Sequence, residues 1–124
     1  MRSHVPLTLG DLLEENALRF GEQTAYQQGD TSLTHAELRK RARQLASSME
    51  RLGLQRQDRI GILAMNCLEF GEVLAAGQWS GLIVATVNYR LAPPEMLHII
   101  NDSAPKVLIF EAQYMAVIEQ LRPE

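Results

Sequence analysis

Three strand-and-helix pairs follow one another from Arg59 onward, and this alternation constrains the fold more than any other feature of the chain. Short aliphatic runs typical of buried strands occur at 59–64, 82–87 and 106–110, and helical patterns follow them at 66–80, about 93–101 and 114–121. A strand, a helix and a second strand in succession form a right-handed crossover that leaves the strands parallel. The sequence therefore predicts an α/β fold, with a three-stranded parallel sheet and flanking helices over residues 59–121.

A short helix and a β-hairpin are predicted before this unit. Thr8 and Asp11 have the spacing of a helix N-terminus, and leucines at helical intervals follow, so we expect a helix over 9–19. The segment 24–33 contains two short strand-like runs around Gly29 and Asp30. Glycine tolerates the positive φ of a tight turn, so this segment predicts the hairpin.

The clearest local signal is a helix over 34–52. Thr34 and Glu37 form a capping-box pattern, in which a hydroxyl and a carboxylate each satisfy a free N–H of the first turn. Apolar residues then recur every three or four positions as far as Leu52. Gly53 follows, where a glycine commonly ends a helix.

The chain is long enough for one domain or subdomain with a real core, at 124 residues. A three-stranded parallel sheet is small, however, because both its faces need cover and both its edges are unpaired. The segment 66–80 is also apolar on almost every side, and such a helix is normally buried all round. We therefore expect the front part of a larger α/β domain, and we expect the isolated chain to self-associate.

Composition excludes several classes of protein. The 12 basic and 15 acidic side chains give a net charge of -3, so nucleic-acid binding is not expected. No apolar run approaches the roughly 20 residues of a membrane span, and the start of the chain shows no secretory signal. Cys67 is the single cysteine, which excludes an internal disulfide and indicates a reducing, cytoplasmic location.

Few side chains suggest chemistry of their own. The sequence contains neither a GxxxxGK[ST] nor a GxGxxG phosphate loop. His4, His35 and His98 lie too far apart for a ligand pattern, so no metal site is predicted. Asn66 is expected to cap the helix predicted over 66–80. Cys67 follows it at that helix start, where a thiolate would be favoured. Because no His or Asn partner is recognisable near it, we interpret it as a small residue that fills the first turn.

Two polar segments are interpreted as structural. Arg39, Lys40 and Arg43 share the outer face of the second helix, which indicates a solvated face rather than a nucleic-acid patch. Asp102 and Ser103 follow a helical pattern and precede a strand. Short polar side chains there bond to nearby backbone, so a turn is predicted.

The segment Asn88-Tyr89-Arg90-Leu91 follows the second predicted strand at its carboxyl end. Ligands of parallel sheets bind beyond that end, and a guanidinium there is suited to an anion. The alternative is a structural turn pinned by Arg90. Spacing alone favours the turn.

Six segments, in order and in register, resemble the adenylate-forming acyl-CoA synthetases, a family that also includes peptide-synthetase adenylation domains. The segments are LTHAEL at 33–38, DRIGI at 58–62, NCLEF at 66–70, WSGLIV at 79–84, NYRL at 88–91 and DSAPKVLI at 102–109. The resemblance runs from about Leu7 to Leu121. The sequence departs from the family pattern at four positions, namely His35, Gln57, Ser80 and Thr86, where Tyr, Gly, Ala and Pro are usual.

The resemblance implies the first part of the large N-terminal domain of an AMP-forming acid–CoA ligase that uses ATP, Mg²⁺ and coenzyme A. The family's phosphate loop, its nucleotide-binding motifs and its adenylation lysine belong to later segments. The chain itself is therefore expected to contain no catalytic residue, to bind no cofactor and to lack activity. In some CoA ligases of the family the arginine of NxRL meets a coenzyme A phosphate, and the resemblance gives that role to Arg90.

Three other interpretations compete with that of a CoA-ligase fragment. A receiver domain needs paired acidic residues after its first strand, and here Met65-Asn66-Cys67 follows that strand, so this interpretation fails. A fragment of a peptide-synthetase adenylation domain and a free-standing, non-catalytic interaction module derived from the synthetase front end both stay open. The carboxylic acid substrate is not determined by this segment.

Overall fold

The computed structural model describes residues 8–122. Its helices are α1 (Leu9–Phe20), α2 (His35–Arg51), α3 (Leu68–Ser80), α4 (Pro93–Ser103) and α5 (Met115–Leu121). Its strands are β1 (Thr24–Gln28), β2 (Thr31–Thr34), β3 (Arg59–Leu63), β4 (Ile83–Val87) and β5 (Val107–Phe110). A single 3₁₀ turn over Ala112–Tyr114 leads into α5. In the described part of the chain, no helix is long and apolar enough to cross a bilayer.

The predicted parallel sheet is confirmed, with strand order β4–β3–β5. Ile60 of β3 pairs with Val84 on one side and with Val107 on the other. The chain thus moves outward from β3 to β4 and then crosses back over β3 to β5. Right-handed crossovers in opposite directions place the connecting helices on opposite faces of the sheet. Strands β1 and β2 form the separate antiparallel hairpin.

Alternate residues of β3 show the two layers. Ile62 packs in a cluster with Val73 of α3, on the face that α2 also covers. Leu63 points the other way and packs with Met96 of α4 and with side chains of α5. Both are at most 1% exposed, so the central strand is buried on both faces. The sheet therefore has the predicted α/β layering.

Helix α3 lies at the centre of the layer that α1, α2 and the hairpin form on one face of the sheet. It packs against α1, α2, the hairpin and the sheet, which explains why nearly every side of it is apolar. Its most buried residues include Ala75 and Ala76, at 2% and 0% exposure. Helix α1 and strand β1 fold back over much of it, and the expected exposure is limited to Phe70, Leu74 and Trp79, which stay partly exposed.

The helix starts and stops follow the predicted local chemistry in α1 and α2. The Thr8 hydroxyl accepts from the Asp11 N–H at 3.0 Å, and the Asp11 carboxylate accepts from the Thr8 N–H at 3.2 Å. At α2 only the hydroxyl half of the predicted box forms, with the Thr34 oxygen 3.1 Å from the Glu37 nitrogen. Gly53 ends α2 with φ +92°, as predicted for a glycine stop.

The start of α3 corrects the sequence prediction. The helix begins at Leu68, not at Asn66, and Asn66 does not cap it. The N–H of Leu68 instead donates to the side-chain oxygen of Gln28 in the hairpin, at 3.1 Å. The cap therefore comes from a residue 40 positions earlier in the chain, which no local pattern reveals.

The end of α4 is a second correction. Asp102 and Ser103 are not a turn but the last residues of the helix. The Ser103 hydroxyl donates back to the carbonyl of Ile99 at 2.8 Å, so a residue expected to form a turn binds within the helix instead. Ala104, with φ +47°, ends the helix. The remaining elements differ from their predicted bounds by at most one residue at either end.

Candidate functional site

Three loops meet at the carboxyl edge of the sheet. They follow β3 at residues 64–67, β4 at 88–92 and β5 at 111–114. The Glu111 N–H donates to the Leu63 carbonyl at 3.1 Å, and its carboxylate accepts from the N–H of Met65. Glu111 thereby ties the end of β5 to the end of β3. Sequence reasoning missed this residue, although its place directly after a buried strand was a usable signal.

The Asn88–Leu91 segment is a turn held by Asn88 rather than by Arg90. The Asn88 side-chain oxygen accepts from the Arg90 N–H at 2.9 Å, and the Asn88 carbonyl accepts from the Leu91 N–H at 3.1 Å. The idea that Arg90 pins the turn is therefore wrong. The backbone therefore forms the structural turn of one interpretation. The guanidinium is not needed to hold this turn, which leaves open the other interpretation, that it binds an anion.

The Arg90 side chain lies on the ring of its neighbour. Its guanidinium carbon is 5.6 Å from the centroid of the Tyr89 ring, a cation–π distance. Arg90 is exposed, and within residues 8–122 its guanidinium has no carboxylate partner. The edge of the sheet thus presents one unneutralised cation that is able to bind an anion.

The other titratable groups in these three loops are the Glu111 carboxylate, the Cys67 thiol and the phenols of Tyr89 and Tyr114. Desolvation by neighbouring atoms, followed by the charges of Glu111 and Tyr89, raises the pKa of Tyr114 above its ordinary value. Tyr114 therefore stays a neutral phenol at physiological pH. The Glu111 carboxylate accepts a backbone N–H and keeps its negative charge, so this edge carries one carboxylate besides the Arg90 guanidinium.

Cys67 is not an activated thiol. Burial raises the pKa of Cys67, and the nearby Glu69 and Glu111 raise it further against the opposing hydrogen bond from the Phe70 backbone. The thiolate suggested by a helix start is therefore disfavoured. Cys67 also lies before the first turn of α3, at the N-cap, and not within that turn as predicted.

The basic face of α2 is exposed at Lys40 and Arg43, as predicted for a solvated face. Arg39 is half-buried and pairs with Glu14 of α1 at 3.0 Å, and the neighbouring, exposed Arg41 pairs with Glu72 of α3 at 2.5 Å. Arg43 lies over the Trp79 ring, with its guanidinium carbon 5.4 Å from the centroid. The solvated face therefore also carries surface contacts to α1 and α3, which pack beside α2.

The described residues contain no group of three or more His, Cys, Asp or Glu side chains placed to hold a metal ion. His35 is the first residue of α2, and His98 is exposed on α4. His4 lies outside the described residues.

Two cavities lie away from the carboxyl edge. A cleft of about 680 Å³ lies where α2 and α3 end, and Arg43, Arg56 and Trp79 contribute to its lining. A second, about 570 Å³, is an apolar groove between α4, α5 and β5. Its main side chains are apolar: Leu97, Ile100, Leu108, Phe110, Met115 and Ile118.

A three-stranded parallel sheet covered by helices on both faces defines an α/β layered unit. The family model described as AMP-binding enzyme matches residues 13–124, and the chain belongs to that family. The resemblance inferred from the six sequence segments is therefore confirmed.

Individual relatives agree with the family. The chain is 33% identical over 124 residues to the 3-methylmercaptopropionyl-CoA ligase of Ruegeria lacuscaerulensis, an alignment covering 96% of this chain and 23% of the relative. The N-terminal domain of FACL13 from Mycobacterium tuberculosis superposes with a TM-score of 0.88 and 29% identity, covering 94% and 30% of the two chains. The anthranilate CoA ligase AuaEII, solved with anthranoyl-AMP, gives 0.88 and 27%, covering 98% and 24%. The chain thus spans about a quarter of the length of these proteins.

Proposed function

We propose that this chain is the front portion of an ATP-dependent acid–CoA ligase, and that the 124 residues alone have no ligase activity. The relatives described above are CoA ligases, and the chain matches about a quarter of their length. In the family to which the chain belongs, the ATP-binding motifs belong to later segments. Its proposed location is the cytoplasm, since its single cysteine suits a reducing compartment.

The proposed reaction has two steps. In the first, a carboxylate oxygen of the acid attacks the α-phosphorus of ATP, and pyrophosphate leaves from that phosphorus with the bonding electron pair. In the second, the thiol of coenzyme A loses its proton and attacks the acyl carbonyl, and AMP leaves. Mg²⁺ would neutralise phosphate charge in the first step, held by residues beyond this segment.

The observation that supports a role for this segment is the state of Arg90. Its guanidinium is exposed at the carboxyl end of β4, and the turn that carries it is held by Asn88. A charge-assisted contact to a phosphate needs an arginine that is not already paired. We therefore assign to Arg90 a phosphate of coenzyme A, bound during the second step.

The substrate class is a small-molecule carboxylic acid. The named relatives act on chemically different acids, including 3-methylmercaptopropionate and anthranilate. Such diversity on a shared front segment supports an acyl pocket built outside it, so no particular acid is assigned.

The test is carried out on the complete ligase that carries this segment. Arg90→Ala should raise the KM for coenzyme A about 10- to 150-fold, the equivalent of losing a charge-assisted contact of about 1.5–3 kcal/mol. Acid-dependent pyrophosphate release in the absence of coenzyme A should be unchanged. Arg51→Ala removes the same charge from an exposed position at the far end of α2 and is the matched control. Equal losses in both half-reactions would show that Arg90 is structural, and absence of acid-dependent pyrophosphate release would refute the ligase itself.

Inactivity of the isolated segment is tested by titration calorimetry with ATP and Mg²⁺. We expect no measurable heat of binding. A dissociation constant in the micromolar range, about 8 kcal/mol of binding free energy, would contradict the proposal.

Self-association of the isolated chain is proposed to use the apolar groove between α4, α5 and β5. Strand β5 is a sheet edge whose four residues are only half-buried, and Met115 beside it is 49% exposed. Exposed apolar surface next to an unpaired strand edge favours pairing with a second copy. Light scattering at micromolar concentration should show a dimer that Met115→Glu weakens. Leu52→Glu, at another exposed apolar position, should leave it intact, and a monodisperse monomer of the parent chain would overturn the idea.

A further inference from the structure

We infer that Tyr89 is a positioning residue for Arg90: its ring is a fixed platform that holds the guanidinium at the carboxyl edge of the sheet. This inference rests on the proposed role of Arg90. It concerns a second side chain, Tyr89, which acts through a cation–π contact with Arg90 and not through a contact with the ligand.

The platform itself is anchored in the core. Tyr89 packs against the buried cluster that contains Leu63, Val87 and Met96. Arg90 is exposed, so its long side chain has no comparable packing of its own. The Asn88 side-chain oxygen accepts from the Arg90 N–H, which fixes the backbone that joins the ring to the guanidinium.

A cation–π contact holds the guanidinium near the ring without neutralising its charge. The guanidinium has five N–H donors, and no carboxylate takes them at Arg90. An ion pair would neutralise the charge and occupy donors, as happens to Arg39 and Arg41. At Arg90 the charge stays available to a phosphate.

Glu111, at the end of β5, is the carboxylate in the three loops, and one of its side-chain oxygens accepts from the N–H of Met65. Arg90 forms no ion pair with it, and the ring of Tyr89 is the contact that the structure shows for the guanidinium. The Tyr89 ring therefore holds the Arg90 guanidinium with its positive charge available to an external anion.

The experiment is a double-mutant cycle in the complete ligase. Tyr89→Leu, which removes the aromatic face, should raise the KM for coenzyme A about 2- to 5-fold, the size expected from losing an exposed cation–π contact. Its kcat and the pyrophosphate-forming half-reaction should stay unchanged. Tyr89→Phe keeps the ring and should behave as the parent. In the Arg90→Ala background Tyr89→Leu should have no further effect, because Tyr89 acts through Arg90.

The outcomes separate the two ideas. If Arg90→Ala leaves the KM for coenzyme A unchanged, the proposed role of Arg90 falls, and the positioning role falls with it. If Arg90→Ala raises the KM but Tyr89→Leu does not, only the positioning role is overturned. An additional 2- to 5-fold effect of Tyr89→Leu without Arg90 would show that Tyr89 acts on its own.

A further test uses NMR on this chain alone and does not depend on enzymatic activity. The Arg90 Nε–H resonance should carry a ring-current shift from Tyr89, retained in Tyr89→Phe and lost in Tyr89→Leu. An unshifted resonance in the parent chain would overturn the stacked geometry directly.

Discussion

Helix α3 approaches strand β4 closely at Gly77, where a Cβ would have no room. A Cβ at Gly77 would lie 2.6 Å from Cγ2 of Val84 and 3.2 Å from the carbonyl oxygen of Leu82. The first neighbour belongs to a β-branched side chain with restricted χ1, and the second is backbone. Neither yields easily, so Gly77→Ala should push α3 away from the sheet.

Two opposing terms set the size of the effect. Replacing glycine by alanine inside a helix gains about 0.8–1.0 kcal/mol of propensity. Forcing an extra methyl into a packed core costs about 1–3 kcal/mol, and a backbone obstacle places Gly77 in the upper part of that range. We therefore expect Gly77→Ala to lower the free energy of unfolding by about 1–2 kcal/mol.

Gly71, on the same helix, provides the matched control. A Cβ there would lie 2.8 Å from Cε2 of Tyr26, the far end of an exposed side chain that can swing outward. The propensity gain is the same and the obstacle is soft, so Gly71→Ala should leave stability unchanged or raise it by up to about 1 kcal/mol. Val84→Ala should recover part of the loss in the Gly77→Ala background, because it removes the clashing methyl.

Urea unfolding, followed by far-UV circular dichroism and by the fluorescence of the single tryptophan, measures these differences. A Gly77→Ala variant as stable as the parent, with the same urea m-value, would show that the α3–β4 contact is looser than the structure has it. Equal losses of stability in Gly71→Ala and Gly77→Ala would show that the rigid neighbours of Gly77 do not set the energetic cost of the substitution.

Three further predictions concern single positions. Gln28→Ala should lower the free energy of unfolding by about 1 kcal/mol by removing the cap of α3, whereas Asn66→Ala should change it little; the reverse order in urea would refute the long-range cap. Gln57 has φ +72°, so Gln57→Gly should raise the melting temperature and the free energy of unfolding by about 0.5–1 kcal/mol, and a drop in both would contradict the strain. A hydrogen bond from the Gln55 backbone and then the ammonium of Lys106 lower the pKa of Asp58, so its stabilisation is present above the unfolded value of 3.8 and is lost as the pH falls through the folded value. The urea midpoints of the parent and Asp58→Asn should accordingly converge on acidification, and a gap that stays constant would exclude this contribution.

Local patterns were sufficient for the order of the elements. The stop at Gly53, the start at Thr34 and the alternation after Arg59 depend on contacts within a few residues, which the sequence shows directly. The same patterns, taken together as six segments, also placed the chain in its family. They failed where a local cap competed with a distant one, as at Asn66, and where Ser103 bonded back into its helix.

The sequence by itself determined that this is a layered α/β chain of the AMP-binding enzyme family, and that a polar segment with Arg90 follows the second parallel strand. Only the tertiary structure decided that Gln28 caps α3, that Glu111 joins two strand ends, and that Arg90 lies on Tyr89 without an ion pair. Backbone conformation follows from neighbours in the chain, whereas hydrogen-bond partners and free charges depend on which distant groups the packed layers bring within about 3 Å.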